Sequence, residues 1–471
     1  MADSITARAI RSTLPPSLVA LHCKKPQFDA KPQNLSLLDL PDAIRVIAPV
    51  LSQTKKRTHL GMSEQDYLKK TAFVSALGLG LHRCGATCHR IERHLSNLCE
   101  LLGIHGTFLM TPTSFTFCYW LNDPTNQHIQ IERVEPCEGD FGKLALLDSL
   151  VVKFEKKEWS FEQMCQGLEQ ALNQPANYRP WAHCLAWVAL AMSFAALLSN
   201  NPANILSAGA MTVVIFFVSR LVGSSSRMVE AQEVIAAMTA GFTSMAIAGC
   251  GVPINAPFVT LSTVIVFIPG IALTVALSEV AHRSLISGVS NLVHSVMNLF
   301  KLYFGAIIGI AMGGLAWGLR VEDTLRPVQH LPSFAVLPAV IVLASSLCVV
   351  LNVRPRQIHW CLVSALIGFY VSQTGEAYFG VAAGMFLGAL SVGVYANAFA
   401  NIRNIPGSIV LTGGLVMLVP GSKTYIILNS WMTGEEILGH QTNINQALLI
   451  FISLVAGLLF ANAILPTKKS L

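Results

Sequence analysis

Two pairs of poor helix formers stand at matching points inside two of the most apolar stretches of the chain. Pro269-Gly270 lies in IVFIPGIALTVALSE, residues 265–279, and Pro420-Gly421 lies in VMLVPGSKTYIILNS, residues 416–430; an offset of 151 residues superposes them. Proline has no N–H to donate and displaces the carbonyl four residues earlier, here that of Ile265 or Val416. The adjoining glycine lets the backbone unwind. A helix that restarts after such a break offers unpaired N–H groups and the positive end of its dipole to an anion. A single Pro-Gly pair can simply kink a packed membrane helix. The matched pair favours two functional breaks.

The polar residues near the breaks extend the candidate substrate and ion site. Thr274 and Glu279 follow the first break, and Ser422, Lys423 and Thr424 follow the second directly. Glu279 lies nine residues beyond Gly270, about 13 Å along a helix. A carboxylate in or near a bilayer is costly, which makes it a candidate for proton coupling or for binding a substrate amine. The competing reading pairs it with Arg283, four residues on. Ser287, Asn291 and His294 share one side of EVAHRSLISGVSNLVHSVM, residues 279–297, a segment that either lines a cavity mouth or lies amphipathically at the membrane surface. Lys423 could hold a substrate carboxylate as a point charge, or snorkel to the interface. HRCGATCHRIERH, residues 82–94, invites a zinc reading. Cys88 and His89 diverge by about 100° on a helix, however, and no second cysteine pair completes a tetrahedral set. No metal and no cofactor is expected.

These residues need a scaffold, and the composition says which kind. The 471 residues are 53% hydrophobic and 12% charged, against about 25% charged in ordinary soluble domains. Most of the 32 basic and 26 acidic residues precede residue 181. The pattern is a polar N-terminal part followed by a membrane part. Ten spans of about 20 residues are predicted, at 181–199, 203–222, 234–252, 256–278, 298–319, 332–352, 357–373, 377–399, 405–429 and 445–465. Lys and Arg in alternate short loops (Arg227, Arg283, Arg354, Arg356, Arg403, Lys468, Lys469) place both termini in the cytoplasm. Five spans per half turn a duplication into an inverted repeat, a common plan of secondary transporters. The expected fold is therefore a polytopic α-helical membrane protein: about ten transmembrane helices as two five-helix inverted repeats, with an N-terminal cytosolic α+β domain.

The divisions expected are a poorly ordered tail over 1–60, an α+β domain over 61–178, and membrane modules over 179–320 and 321–471. In the α+β domain a helix is predicted over 64–102, then two strand-like segments, then helices near 141–156 and 160–173. No secretory signal is evident. Seven of the 11 cysteines precede residue 181, and no structural disulfide is expected in a reducing compartment. The basic residues do not interleave with aromatics as nucleic-acid binders require. No P-loop, dinucleotide fingerprint or nucleophile elbow occurs, so no enzyme activity is indicated.

The order of GLGLHRCGATCHRIERHLSNLCELLGI (Gly78–Ile104), FIPGIALTVALSEV, SLISGVSNL and ANIRNIPGSIVLTGGLVMLVPGSKTYIIL (Ala400–Leu428) resembles the threonine/serine exporter family, with both family modules fused in one chain. The resemblance covers roughly residues 65–465. It implies an inner-membrane exporter of small hydroxylated amino acids, driven by an ion gradient, usually protons, in antiport. Glu279 stands where that family often has Asp, and Asn291 where an Arg is often expected. The implied partners are a small polar solute (threonine, serine or a dicarboxylate), protons and the lipid bilayer; homo-oligomeric assembly is left open. The alternatives are a dicarboxylate exporter, for example of succinate, and a membrane-anchored sensor without transport. Replacing Pro269 and Pro420 together by alanine should restore helical hydrogen bonds and abolish efflux from proteoliposomes without impairing insertion. Efflux at the wild-type rate would make both breaks incidental.

Overall fold

The structure is a computed structural model that describes residues 64–134, 139–225, 227–281, 283–326, 331–403, 405–418 and 444–466. The α+β layer opens with α1 (Glu64–Arg83) and α2 (Cys88–Leu102). The single helix predicted over 64–102 is thus two helices. Gly85 adopts φ 85°, a left-handed turn that costs glycine little and ends the first helix there. Strands β1 (His105–Met110), β2 (Ser114–Trp120) and β3 (His128–Arg133) form an antiparallel sheet in that order, with Phe108 opposite Phe117 and Phe117 opposite Gln130. The chain then forms α3 (Phe141–Glu155), started by the Asp140 carboxylate accepting the Lys143 N–H, and α4 (Phe161–Asn173), started by a Ser160–Gln163 capping box.

Alternation along β2 turns Phe115, Phe117 and Tyr119 inward onto Leu77, Leu81, Ile91, Leu95 and Leu147. Burial of each such side chain is worth about 1.5–3 kcal/mol. This core does not stop at the edge of the α+β layer. It continues into Cys348, Val353, Cys361 and Ile409 of the helical part.

The helical part comprises α5 (Pro180–Leu198), α6 (Pro202–Gly223), α7 (Gln232–Gly249), α8 (Ala256–Thr263), α9 (Gly270–Ala281), α10 (Leu285–Trp317), α11 (Ser333–Val350), α12 (Ile358–Phe379), α13 (Val381–Arg403), α14 (Gly407–Leu418) and α15 (Ile444–Ile464). Every one of the ten predicted spans therefore carries helix. By length and apolarity, five helices among the described residues suffice to cross a membrane: α5, α6, α10, α11 and α13; the bent pair formed by α8 and the helix after it would make six. The fifth predicted span begins well before residue 298, because α10 is one helix of 33 residues, about 50 Å long.

The packing of one half is repeated in the other. In the first, α5 packs on α6, α6 on α7, α8 on α5, α6 and α7, and α7 on α10. In the second, α11 packs on α12, α12 on α13, α14 on α11, α12 and α13, and α13 on α15. The first helices of the two halves, α5 and α11, also pack together, and α9 lies against α14 and α15.

Helix contacts use many small residues beside a few large ones such as Leu299, Leu302 and Tyr303, and many large apolar residues face out. On α10 the buried positions include Ser287, Gly288, Ser295, Gly305, Ala306, Gly309 and Gly313, whereas Leu285, Ile286, Val289, Val293, Met297, Phe304 and Leu315 are exposed. This inversion suits a helix whose solvent is lipid and whose neighbours approach backbone to backbone. A Cβ at Gly241 of α7 would lie 2.5 Å from the Ala306 carbonyl oxygen and 2.7 Å from the Ile310 nitrogen. Gly241→Val should therefore force α7 and α10 apart, at a cost of about 1–3 kcal/mol, and lower the unfolding temperature in detergent. Gly223→Ala, whose Cβ meets nothing nearer than 3.6 Å, should leave it unchanged.

Candidate functional site

The first Pro-Gly pair does break its helix. α8 ends at Thr263, a 3-10 turn covers Ile265–Phe267, Ile268 is extended, and a new helix begins at Gly270; the two flanking helical segments are bent by 51°. The Ile265 carbonyl, expected to be freed, is recaptured locally, and so is its neighbour on Val264. Ile265 O accepts the Ile268 N–H at 3.3 Å and Val264 O accepts the Phe267 N–H at 2.9 Å. The break packs against α5, where Phe267 meets the Trp187 ring edge-on at 5.4 Å between centroids. Thr274 is buried, and its hydroxyl donates back to Gly270 O at 3.1 Å. The second pair and its followers, Pro420, Gly421, Ser422, Lys423 and Thr424, lie outside the described residues.

Glu279, near the end of α9, is only 1% exposed. Its Oε1 accepts the backbone N–H of Cys88 at 3.1 Å, and its Oε2 accepts Ser287 Oγ at 2.7 Å and Asn291 Nδ2 at 2.9 Å. Ser287 and Asn291 sit one turn apart on α10, so both reach the same oxygen. The alternative pairing with Arg283 does not form: Arg283 is exposed at φ 66°, in the turn between α9 and α10. The structure thus unites Glu279, Ser287 and Asn291. Pro269 and Gly270 lie at the opposite end of α9.

The Cys88 amide is the first N–H of α2, and Thr87 is the residue placed to cap it. Thr87 makes no side-chain cap bond, and its buried hydroxyl has no partner among the described residues. Glu279, 191 residues away in sequence, caps α2 in its place. A carboxylate there gains from the charge-assisted bond and from the positive end of the helix dipole. Sequence reasoning missed this contact because an amide carries no residue-type signal, and because the single helix predicted over 64–102 left no helix start at Cys88 to be capped.

The surrounding α+β groups feel the buried charge. Burial first, and the Glu279 carboxylate second, push the Cys88 thiol up to about 12, against a hydrogen bond from Ser287 that pulls it down. Burial also raises the Glu92 carboxyl, one turn along α2; its bond from the Met110 N–H opposes this, and Glu279 adds to it. Among the described residues no group of three His, Cys, Asp or Glu could hold a metal ion.

Two stretches of the sequence match known families. Residues 72–313, from α1 into α10, match the family described as "Putative threonine/serine exporter". Residues 336–464, from α11 through α15, match "Threonine/Serine exporter, ThrE". The chain belongs to the threonine/serine exporter family. Within this exporter family it is 21% identical to a probable threonine/serine exporter of Mycobacterium tuberculosis over 326 residues, 68% of this chain and 61% of that protein. It is also 21% identical to an uncharacterized protein of Schizosaccharomyces pombe over 76% of this chain and 48% of that one. Pheromone-regulated membrane protein 10 of Zygosaccharomyces rouxii is likewise 21% identical, over 72% of this chain and 35% of that protein. The chain therefore spans less than two thirds of the length of these relatives. No solved structure matches it. Family and apolar helices together make it a multi-pass membrane protein of an exporter family.

A second contact joins the α+β layer of this exporter-family chain to the other half of the bundle. The loop after α11 presents three successive carbonyls: Leu351 O accepts the Phe141 N–H at 3.2 Å, Asn352 O accepts Asn177 Nδ2 at 2.8 Å, and Val353 O accepts the Tyr178 hydroxyl at 2.7 Å.

Removing the Glu279 carboxylate would strand buried donors, at about 1–3 kcal/mol each. Glu279→Ala should therefore loosen the start of α2 and raise maleimide labelling of Cys88, read by peptide mass spectrometry, about tenfold. Glu279→Gln keeps one acceptor oxygen and should fall between. Labelling unchanged in both variants would mean that Glu279 does not hold α2.

Proposed function

We propose that the chain is a secondary exporter of threonine or serine whose proton coupling runs through Glu279. The observation that carries this reading is the buried carboxylate that joins a broken membrane helix to the start of a helix in the α+β layer. Ionised, it accepts three hydrogen bonds and faces the positive end of α2. Once protonated it keeps little attraction for that dipole, and the Cys88 amide loses its acceptor charge. Proton arrival would then release α2 from α9, and proton departure would reseat it. Such an exchange links a titration to the position of a domain without any catalytic chemistry.

The repeated packing scheme of the two halves supports a duplication, and an odd number of crossings per half would make it an inverted repeat of five plus five spans. In this reading α8 with α9 form one broken crossing, and the segment around Pro420 and Gly421 forms its counterpart, with Ser422, Lys423 and Thr424 facing the solute. The α+β layer and both termini lie in the cytoplasm, at an inner membrane.

Proteoliposomes preloaded with labelled threonine should lose label faster when a pH gradient is imposed. Glu279→Gln should reduce the pH-driven component at least tenfold. Succinate efflux in place of threonine would reassign the substrate to dicarboxylates, and efflux of neither would favour a sensor. An unchanged pH dependence in Glu279→Gln would remove that residue from the proton path.

A further inference from the structure

Away from Glu279, three arginines line one cavity where α11 and α13 end and α12 begins. A cavity of about 380 Å³ is lined by Arg354, Arg356, Gln357, His359, Trp360, Arg403 and Ile405. Among the described residues no acidic side chain lines it. Arg354 and Arg356 come from the loop after α11, and Arg403 is the last residue of α13, with its guanidinium over the Trp360 ring at 5.0 Å from the centroid. Burial, and secondarily Arg356, lower the Arg354 guanidinium from its ordinary range, as expected of a cation held beside another with nothing to neutralise it. The cavity also borders the start of α12, whose positive dipole end adds to the field.

One lining group is of the opposite kind. Gln357 is 8% exposed, and its Oε1 is buried with no hydrogen-bond partner among the described residues. An isolated amide oxygen in such a place calls for a donor. A ligand that satisfies the whole cavity needs an anion for the three arginines and, a few ångströms away, a hydroxyl or ammonium for Gln357. We propose that this cavity binds a phosphate-bearing anion of that kind, supplied by the headgroup of an anionic lipid.

The setting favours a lipid. The arginines stand at the ends of apolar helices, the depth at which headgroups lie, and Ile402 beside Arg403 is 75% exposed. Basic residues that only set topology need not share a cavity. Here three do, and the planar fork of arginine matches phosphate oxygens in pairs. The site is distinct from the carboxylate cluster and stands whether or not Glu279 couples protons.

Native mass spectrometry of the purified full chain in detergent tests this with phosphatidylglycerol, phosphatidylcholine and glycerol phosphate as probes. The wild type should retain one phosphatidylglycerol at least tenfold more tightly than phosphatidylcholine. Arg354→Gln with Arg356→Gln and Arg403→Gln should erase that preference. Arg403→Lys keeps the charge but loses the fork, and should weaken phosphatidylglycerol binding at least threefold even if the triple variant does not fold. Equal retention by wild type and both variants, or equal retention of the two lipids, overturns the site. Glycerol phosphate binding as tightly as phosphatidylglycerol overturns the lipid assignment and leaves a soluble phosphate ester as the ligand.

Discussion

A single buried carboxylate holds this structure in register. At 1% exposure, the polar oxygens of Glu279 would be costly to bury in an apolar bundle without donors on both of them. It has three, one from α2 and two from α10: the amide of Cys88 fixes where α2 begins, while Ser287 and Asn291 fix the rotation of α10 against α9. Because the donors belong to separate layers, the folded positions of those layers are coupled through one titratable group.

The surrounding bundle is organised by its solvent. In water, large apolar side chains go inside; here α10 turns many of them out and packs mostly through glycine, alanine and serine, with Leu299, Leu302 and Tyr303 as its large buried residues. Close backbone approach compensates for the weak hydrophobic drive between helices in lipid. The same scheme recurs in both halves, third helix against last and the short helix across the first three.

Much of this was legible in the residues. Apolar runs and the strand-like SFTFCYW depend on local chemistry: the strand forms, and every predicted span carries helix, although only five or six helices among the described residues are long and apolar enough to cross a membrane. The broken helix at Pro269 was legible for the same reason, since proline's missing N–H acts within four residues. Glu279, Ser287 and Asn291 could be named as polar residues in an apolar setting, but not joined to Cys88, because that contact is made to a backbone atom 191 residues away. The helix from Leu285 to Trp317 is continuous where the sequence divided it at residue 298, and of the polar side read there Ser287 is buried, Asn291 half-buried and His294 exposed. Gly85 likewise divided a segment that periodicity alone would have left whole.

The α+β layer grips the bundle twice, once in each half: at Glu279 through Cys88, and at the loop carbonyls of Leu351, Asn352 and Val353 through Phe141, Asn177 and Tyr178. Only the bond from the Phe141 N–H to Leu351 O joins backbone to backbone; the other three end on the side chains of Glu279, Asn177 and Tyr178 and can lengthen by a change of rotamer. The layer is therefore a clasp with one stiff tooth and three compliant ones, fastened to both halves of the bundle.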